Sequence, residues 1–89
     1  MKSAEWEKIK LKKEIEEFVK NVLEEVRGEA IDDSSVLLLE EEILDSINIL
    51  YLVSELEDNY GIQIPLDDVV ENNFKNIESI AEYVMAQIN

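Results

Sequence analysis

Apolar residues recur every three or four positions in three separate segments of this 89-residue chain, and this spacing constrains its fold most strongly. Such a stripe predicts an amphipathic helix that turns one side toward a core. The first stripe consists of Leu11, Ile15, Phe18, Val19, Val22 and Val26. Gly28 follows it, at a position where a left-handed residue commonly ends a helix. The first principal helix is therefore expected to end near Gly28.

Two further stripes predict a second and a fourth helix. The second helix is expected over residues 46–59, and its core face comprises Ile49, Leu52, Val53, Leu56 and Tyr60. The fourth begins after Asn76, a residue type that caps helix N-termini, and its stripe comprises Ile77, Ile80, Ala81, Val84 and Ile88. Gly61 and an extended connection through Pro65 separate these two helices. A short third helix is expected over residues 66–71, with two aspartates in its first turn.

Residues 29–44 show no sustained period. Residues 32–35 are turn formers, and the apolar run at 36–39 is interpreted as a loop that anchors under the bundle. A strand is disfavoured because nothing else in the chain offers it a partner. The prediction is an all-α fold, a small bundle of three principal helices plus one short helix, in a single domain.

The first ten residues lie outside this scheme. Trp6 and Ile9 fall off the stripe of the first helix when it is continued backward, and Lys8, Lys10, Lys12 and Lys13 surround them. We therefore predict an N-terminal extension over residues 1–10, frayed and solvated, and a folded domain over residues 11–89.

Missing residue types exclude several kinds of chemistry. Cysteine and histidine are both absent, which removes disulfides, thiolate metal sites, cysteine nucleophiles and the usual base of a serine nucleophile. Self-contained catalysis is not expected. The acidic clusters at 40–42 and 67–68 lack the ligand spacing of a calcium-binding loop, so no metal site is predicted.

The net charge of −14 is concentrated in the body of the chain. Residues 1–27 hold seven acids and seven bases, whereas residues 28–89 hold fifteen acids and a single base, Lys75. Such a surface disfavours nucleic acid and steers the chain toward basic patches on protein partners. No apolar run is long enough to span a bilayer, and no signal peptide is evident. We predict a cytoplasmic monomer without stable membrane insertion.

The polar loop meets the second helix at the run Leu-Asp-Ser-Ile, residues 44–47. By itself this pattern indicates a helix cap, because Asp45 can accept bonds from first-turn N–H groups. Together with the run Gly-Ile-Gln-Ile-Pro at 61–65 and Asn-Ile-Glu-Ser-Ile at 76–80, it resembles the acyl carrier protein family over roughly residues 11–88.

The resemblance implies that Ser46 carries 4′-phosphopantetheine, with Asp45 as its acidic neighbour. A separate phosphopantetheinyl transferase would use Mg²⁺ and coenzyme A, and the Ser46 hydroxyl would displace adenosine 3′,5′-bisphosphate. Acyl intermediates would then be held as thioesters and passed among acyl-loading and acyl-processing enzymes. A helix N-terminus with free N–H groups is also expected to tolerate the phosphodiester.

The second helix also carries large apolar residues opposite its core face. Ile47, Leu50 and Tyr51, with Ser54 between them, predict an exposed patch for partners. The full set of predicted partner-binding residues is Ile47, Asn48, Leu50, Tyr51, Ser54, Glu57 and Asp58. Asn48 and Tyr51 replace acids that are common in the family, which implies a specialised carrier in fatty-acid, polyketide or related biosynthesis. Two alternatives stay open: a D-alanyl or other aminoacyl (peptidyl) carrier, and an unmodified helical interaction module.

Overall fold

The computed structural model describes residues 2–28, 30–31, 35, 37–38 and 43–88, without the side chains of residues 2–4 and 46. The described chain contains three α-helices and one short 3-10 helix, joined by loops. They are α1 at Lys2–Arg27, α2 at Ser46–Tyr60, the 3-10 helix at Leu66–Asp68 and α3 at Ile77–Ile88. No strand occurs within these ranges. The predicted all-α bundle is confirmed.

The helix α1 packs against both α2 and α3. It runs antiparallel to α2, because Phe18 meets Tyr60 edge to face at 5.6 Å between ring centroids, while Glu25 lies near Tyr51 at the other end. Side chains from the three α-helices and from the connections fill the core between them. The largest fully buried ones are Phe74, Ile15, Leu23, Leu38, Leu52, Leu56, Ile77, Ile80, Val19 and Val84.

The stripe predicted for α1 is confirmed in its middle and wrong at its end. Ile15, Val19 and Val22 are buried, and Leu11 and Phe18 are half-buried against the core. Val26 is exposed, and the buried residue of the last turns is Leu23, which the stripe did not include. The reason is that the chain turns back at Gly28 and brings Ile31 into the core, which shifts the covered side of α1.

The N-terminal extension is helical, so its predicted fraying is wrong. Helix α1 continues without a break through residues 2–10, a segment rich in lysine and glutamate that contains no glycine or proline to end a helix. The predicted solvation is correct, since the described side chains from Glu5 to Lys10 are exposed. At 1.5 Å per residue, 26 residues span about 39 Å. This matches the longest dimension of the molecule, 41 Å.

The ends of α1 and α2 share one hydrogen-bonding arrangement. At the end of α2, Gly61 is left-handed with φ of 63°, and its N–H donates to the Glu57 carbonyl at 2.9 Å. The Glu57 carboxylate then accepts the N–H of buried Ile64 at 2.8 Å. The same spacing recurs at the end of α1, where the residues are Glu24, Gly28 and Ile31, and the corresponding distances are 2.7 and 2.6 Å. In both places a glutamate ties the returning chain to the helix that it has just left.

The short third helix is smaller than predicted. It comprises Leu66–Asp68 alone, because Val69 has ψ of 74° and leaves the helical conformation. The chain then makes turns in which Phe74 donates its N–H to the Val70 carbonyl at 3.0 Å. This path buries the Phe74 side chain completely.

Helix α3 begins as predicted. The side-chain oxygen of Asn76 accepts the N–H of Ser79 at 2.7 Å, and its carbonyl accepts the N–H of Ile80 at 3.1 Å. The stripe is buried from Ile77 to Val84, but Ile88 is exposed because it forms the last turn, beyond the core.

Candidate functional site

The start of α2 is fixed by Asp45. This residue has extended backbone, and its Oδ1 accepts the N–H groups of Ile47 at 3.0 Å and Asn48 at 2.8 Å. Ser46 is the first residue of the helix. The predicted cap is confirmed. The N–H groups of residues 47 and 48 are not free, however, which corrects the expectation that they would be available to a phosphodiester.

A loop anchor holds this helix start against the rest of the bundle. The Leu38 side chain is fully buried, as the anchoring-loop prediction requires, while Leu37 is exposed. The Leu38 carbonyl accepts the N–H groups of Ile43 at 2.8 Å and Leu44 at 3.1 Å, and the Leu38 N–H donates to the Lys75 carbonyl at 2.9 Å. The segment before Ser46 is thus tied to the segment before α3. Residues 32–34, 36 and 39–42 of the predicted turn, loop and acidic cluster lie outside the described residues.

Sequence reasoning missed the part that Ile43 and Leu44 play. Both side chains are buried, directly before the cap residue. Leu44 precedes the cap and Ile49 lies four residues inside the helix, the two positions at which apolar side chains commonly fix the entry of a chain into a helix. Leu44 belongs to the buried core cluster, and Ile49 is half-buried against it. The apolar pair immediately before Asp45 was the available signal.

Five of the seven predicted partner-binding residues form one exposed face of α2. The large apolar members are open to solvent, with exposed fractions of 76% for Ile47, 55% for Leu50 and 42% for Tyr51. Their spacing of three, four and seven residues extends the face along the helix. We call the exposed set the outer stripe; it comprises Ile47, Leu50, Tyr51, Ser54 and Asp58. The predicted exposure of Ile47, Leu50 and Tyr51 is confirmed, and their role in partner binding stays a prediction.

The other two residues make structural contacts. The Asn48 side chain donates to the Ile43 carbonyl at 3.2 Å, which adds a second tie between the loop and α2. Glu57 uses its carboxylate to hold Ile64. Both side chains are half-buried. A change at either position is therefore expected to affect the fold of the adjoining loop as well as any partner.

Acidic neighbours surround the outer stripe. The pKa of the Tyr51 phenol is raised above its ordinary value. The largest cause is the negative charge of Glu55, followed by partial burial and then by the charge of Glu25. The phenol thus stays neutral, and the apolar stripe is bordered by negative charge. Among the described side chains, no group of three or more acids is arranged to hold a metal ion. The described helices include none with both the length and the hydropathy of a membrane span.

Comparison with known proteins identifies the family. The family model described as "Phosphopantetheine attachment site" matches residues 13–84, which is most of the chain. The chain belongs to this family. The carrier is also 39% identical over 56 residues to the D-alanyl carrier protein of Enterococcus faecalis (strain ATCC 700802 / V583). That alignment covers 61% of this chain and 72% of the relative.

Family membership defines the general chemistry. The predicted family is confirmed: the protein is a phosphopantetheine carrier and not an enzyme, and its 4′-phosphopantetheine is covalently attached. Such carriers interact with a phosphopantetheinyl transferase and with partner enzymes. The residues around the start of α2 fit such a group, because Asp45 and Ile47 are both exposed on either side of Ser46. When bound, the group supplies the thiol that a chain without cysteine lacks.

Proposed function

We propose that Ser46 is the attachment residue and that this protein carries an acid, activated as a thioester, between a loading enzyme and an acceptor enzyme. The observation that carries this proposal is the position of Ser46 as the first residue of α2, between exposed neighbours, on a helix start held from two sides by Asp45 and Leu38. A transferase needs to reach the Ser46 hydroxyl without unfolding the bundle. The family match over residues 13–84 supports residues 11–89 as the carrier domain.

Asp45 is proposed to keep the helix start formed during modification. Its carboxylate occupies the N–H groups of Ile47 and Asn48, so a phosphodiester at residue 46 would meet a negative group at the helix end. Like charges repel, while the helix dipole still favours an anion nearby. These opposing effects would direct the modified residue outward toward solvent, where partner enzymes can reach it.

The outer stripe is proposed as the surface that partner enzymes contact. It begins one residue after Ser46 and presents Ile47, Leu50 and Tyr51 to solvent, with Glu55 at its border. Exposed apolar patches of this kind mark binding surfaces, and Tyr is among the side chains that most often dominate the binding energy of protein interfaces. The acids around them would attract a basic patch on the partner.

The similarity to a D-alanyl carrier protein favours D-alanine as the cargo. A fatty-acyl or polyketide intermediate is the second candidate, supported by the resemblance to acyl carrier proteins. The two differ in what the loading enzyme recognises, because the thioester is formed outside the folded chain. An apolar chain would also need space beside the core face of α2, where Leu52 and Leu56 are fully buried.

The attachment residue is tested by a pair of serine variants. Ser46→Ala should remain folded and gain no mass when incubated with coenzyme A, Mg²⁺ and a broad-specificity transferase. Ser54→Ala removes an exposed serine from the same helix and should gain one phosphopantetheinyl group, as the wild type does. Intact-mass spectrometry distinguishes these results. A mass gain in Ser46→Ala would exclude Ser46.

The cargo is tested on the modified protein. We expect a D-alanine-activating ligase with ATP to add one D-alanyl group that hydroxylamine releases, as it does from thioesters. The matched reaction uses an acyl-activating ligase with a fatty acid. Loading by the second enzyme alone would contradict the D-alanyl proposal while leaving Ser46 as the attachment residue.

A further inference from the structure

An open groove of about 700 Å³ runs along α1 beside the end of α2. At one end are Trp6 and Ile9, with exposed fractions of 65% and 51%, and at the other is the aromatic pair of Phe18 and Tyr60. Trp6 and Ile9 lie on a side of α1 that the bundle leaves uncovered, whereas Phe18 and Tyr60 are half-buried at the edge of the core. An exposed apolar groove on a carrier of this size indicates a binding surface.

The charges along this groove change sign at its middle. Lys10 and Lys13 precede Glu14 and Glu17, and all four side chains are exposed. None of them forms an ion pair with another described residue; the ion pair seen among the described residues joins Lys12 to Glu82, outside the groove, at 3.3 Å. Pairing along the helix would place each lysine before its glutamate, which is the less favourable order.

The order of these residues makes the groove complementary to itself. If a second α1 is laid antiparallel about a two-fold axis between Lys13 and Glu14, Lys13 of each copy faces Glu14 of the other. The same axis places Lys10 opposite Glu17. A two-fold interface of this type uses one surface patch on both copies, so each contact occurs twice. Four pairs of opposite charge would form.

The apolar residues follow the same symmetry. Ile9 of one copy falls opposite Phe18 of the other, and Trp6 falls opposite Asn21, one turn beyond Phe18 and also in the groove. The exposed end of each α1 would thus cover the aromatic pair of the other copy. We propose that this groove binds a second copy of the chain through antiparallel pairing of the two α1 helices. This replaces the monomer expected from the sequence.

The proposed pairing leaves the carrier end of the molecule free. Ser46 begins α2 and Tyr60 ends it, a separation of about 21 Å at 1.5 Å per residue. The acidic bodies of the two copies repel each other, because each chain carries a net charge of −14. Association therefore depends on the groove charges, and reversing them should have a large effect.

The test is sedimentation equilibrium of the full-length chain over a wide concentration range. For the wild type, the mass should rise from that of one chain, 10.3 kDa, toward twice that value. Two double variants should each keep the mass of one chain, because like charges then face each other. They are Lys10→Glu/Lys13→Glu and Glu14→Lys/Glu17→Lys. An equimolar mixture of the two variants should associate, because every facing pair is again opposite in charge.

Lys8→Glu/Lys75→Glu is the matched control. It changes the net charge by the same amount as the first variant but lies outside the groove, so it should associate as the wild type does. Circular dichroism of each variant should show unchanged helix content. The fluorescence of Trp6, the single tryptophan, should shift to shorter wavelength as the wild type associates.

Two results would overturn the proposal. One is a wild-type mass that stays at one chain across the concentration range; the other is a variant mixture that associates no better than its components. A fluorescence shift that requires phosphatidylglycerol vesicles, with no change in mass, would assign the groove to a lipid surface instead.

Discussion

Two single glutamate residues stabilise the chain reversals that follow α1 and α2, through hydrogen bonds from their carboxylates to the backbone. Glu24 and Glu57 each accept the N–H of an isoleucine seven residues later, and those isoleucines are buried. Between them, Gly28 and Gly61 adopt positive φ, which allows the chain to reverse without strain. The spacing Glu-x-x-x-Gly-x-x-Ile is visible twice in the sequence, but its hydrogen bonds follow only from the folded path.

Glu57→Ala is expected to lower the free energy of unfolding by about 1 to 2 kcal/mol, because it leaves the Ile64 N–H without its charged acceptor. Asp58→Ala removes an exposed acid from the adjacent position and should change stability by no more than about 0.5 kcal/mol. Urea titration of both variants checks the difference. Equal effects would show that charge, and not the bond to Ile64, determines the result.

At the scale of elements, one side-chain contact joins the 3-10 helix to α3. Tyr83 donates its hydroxyl to Asp68 Oδ2 at 2.6 Å, and its ring lies 6.0 Å from that of buried Phe74. The pKa of Tyr83 is raised to about 12. Burial is the largest cause, followed by the hydrogen bond to Asp68 and the charge of that carboxylate. The short connection is thereby held to the last principal helix.

This contact predicts a stability that depends on alkaline pH. The unfolded tyrosine loses its proton near pH 10 and the folded one near pH 12, so its contribution is complete below pH 10 and is lost as pH rises toward 12. Tyr83→Phe should be less stable at pH 8 by about 1 kcal/mol. Between pH 8 and 11 the variant should lose less stability than the wild type. Denaturant titrations at both pH values test this, and parallel losses would contradict it.

The two sides of α2 should respond differently to substitution. Leu50→Ser/Tyr51→Ser alters exposed residues of the outer stripe and should change stability by no more than about 0.5 kcal/mol for each residue. Leu52→Ala lies on the buried side of the same helix and should cost about 2 to 5 kcal/mol. Urea titration separates these cases. A loss of several kcal/mol in the outer-stripe variant would mean that these residues stabilise the fold.

At the scale of the whole molecule, the uneven charge opposes compaction. The fifteen acids of residues 28–89 are accompanied by Lys75 alone, in a molecule whose dimensions are 41 by 28 by 21 Å. At 0.01 M salt the screening length is about 30 Å, comparable with the molecule, and at 0.1 M it is about 10 Å. Charges across the bundle therefore repel at low salt and much less at moderate salt.

Raising the ionic strength over this range should raise the melting temperature. Each 1 kcal/mol of repulsion relieved corresponds to about 4 to 8 °C for a domain of this size. Calorimetry should use a protein concentration at which sedimentation shows one chain, since association also stabilises. A melting temperature that falls with salt would mean that attractive pairs, such as Lys12 with Glu82, outweigh the repulsion.

Features that depend on neighbours along the chain could be predicted from the amino-acid sequence. The starts of α2 and α3, the caps at Asp45 and Asn76 and the left-handed Gly28 and Gly61 each follow from the chemistry of a few consecutive residues. Their positions agree with the structure because a helix forms and ends through local hydrogen bonds.

Features that depend on where the chain returns are visible in the folded molecule alone. It buries Leu23 in place of Val26, ends the third helix after three residues, brings Phe74 into the core, and uses the Leu38 carbonyl to hold the start of α2. It also assigns Glu57 to a loop contact and leaves Trp6 and Ile9 uncovered on a continuous helix. Each of these depends on which distant segment covers a side chain, and periodicity along one helix does not contain that information.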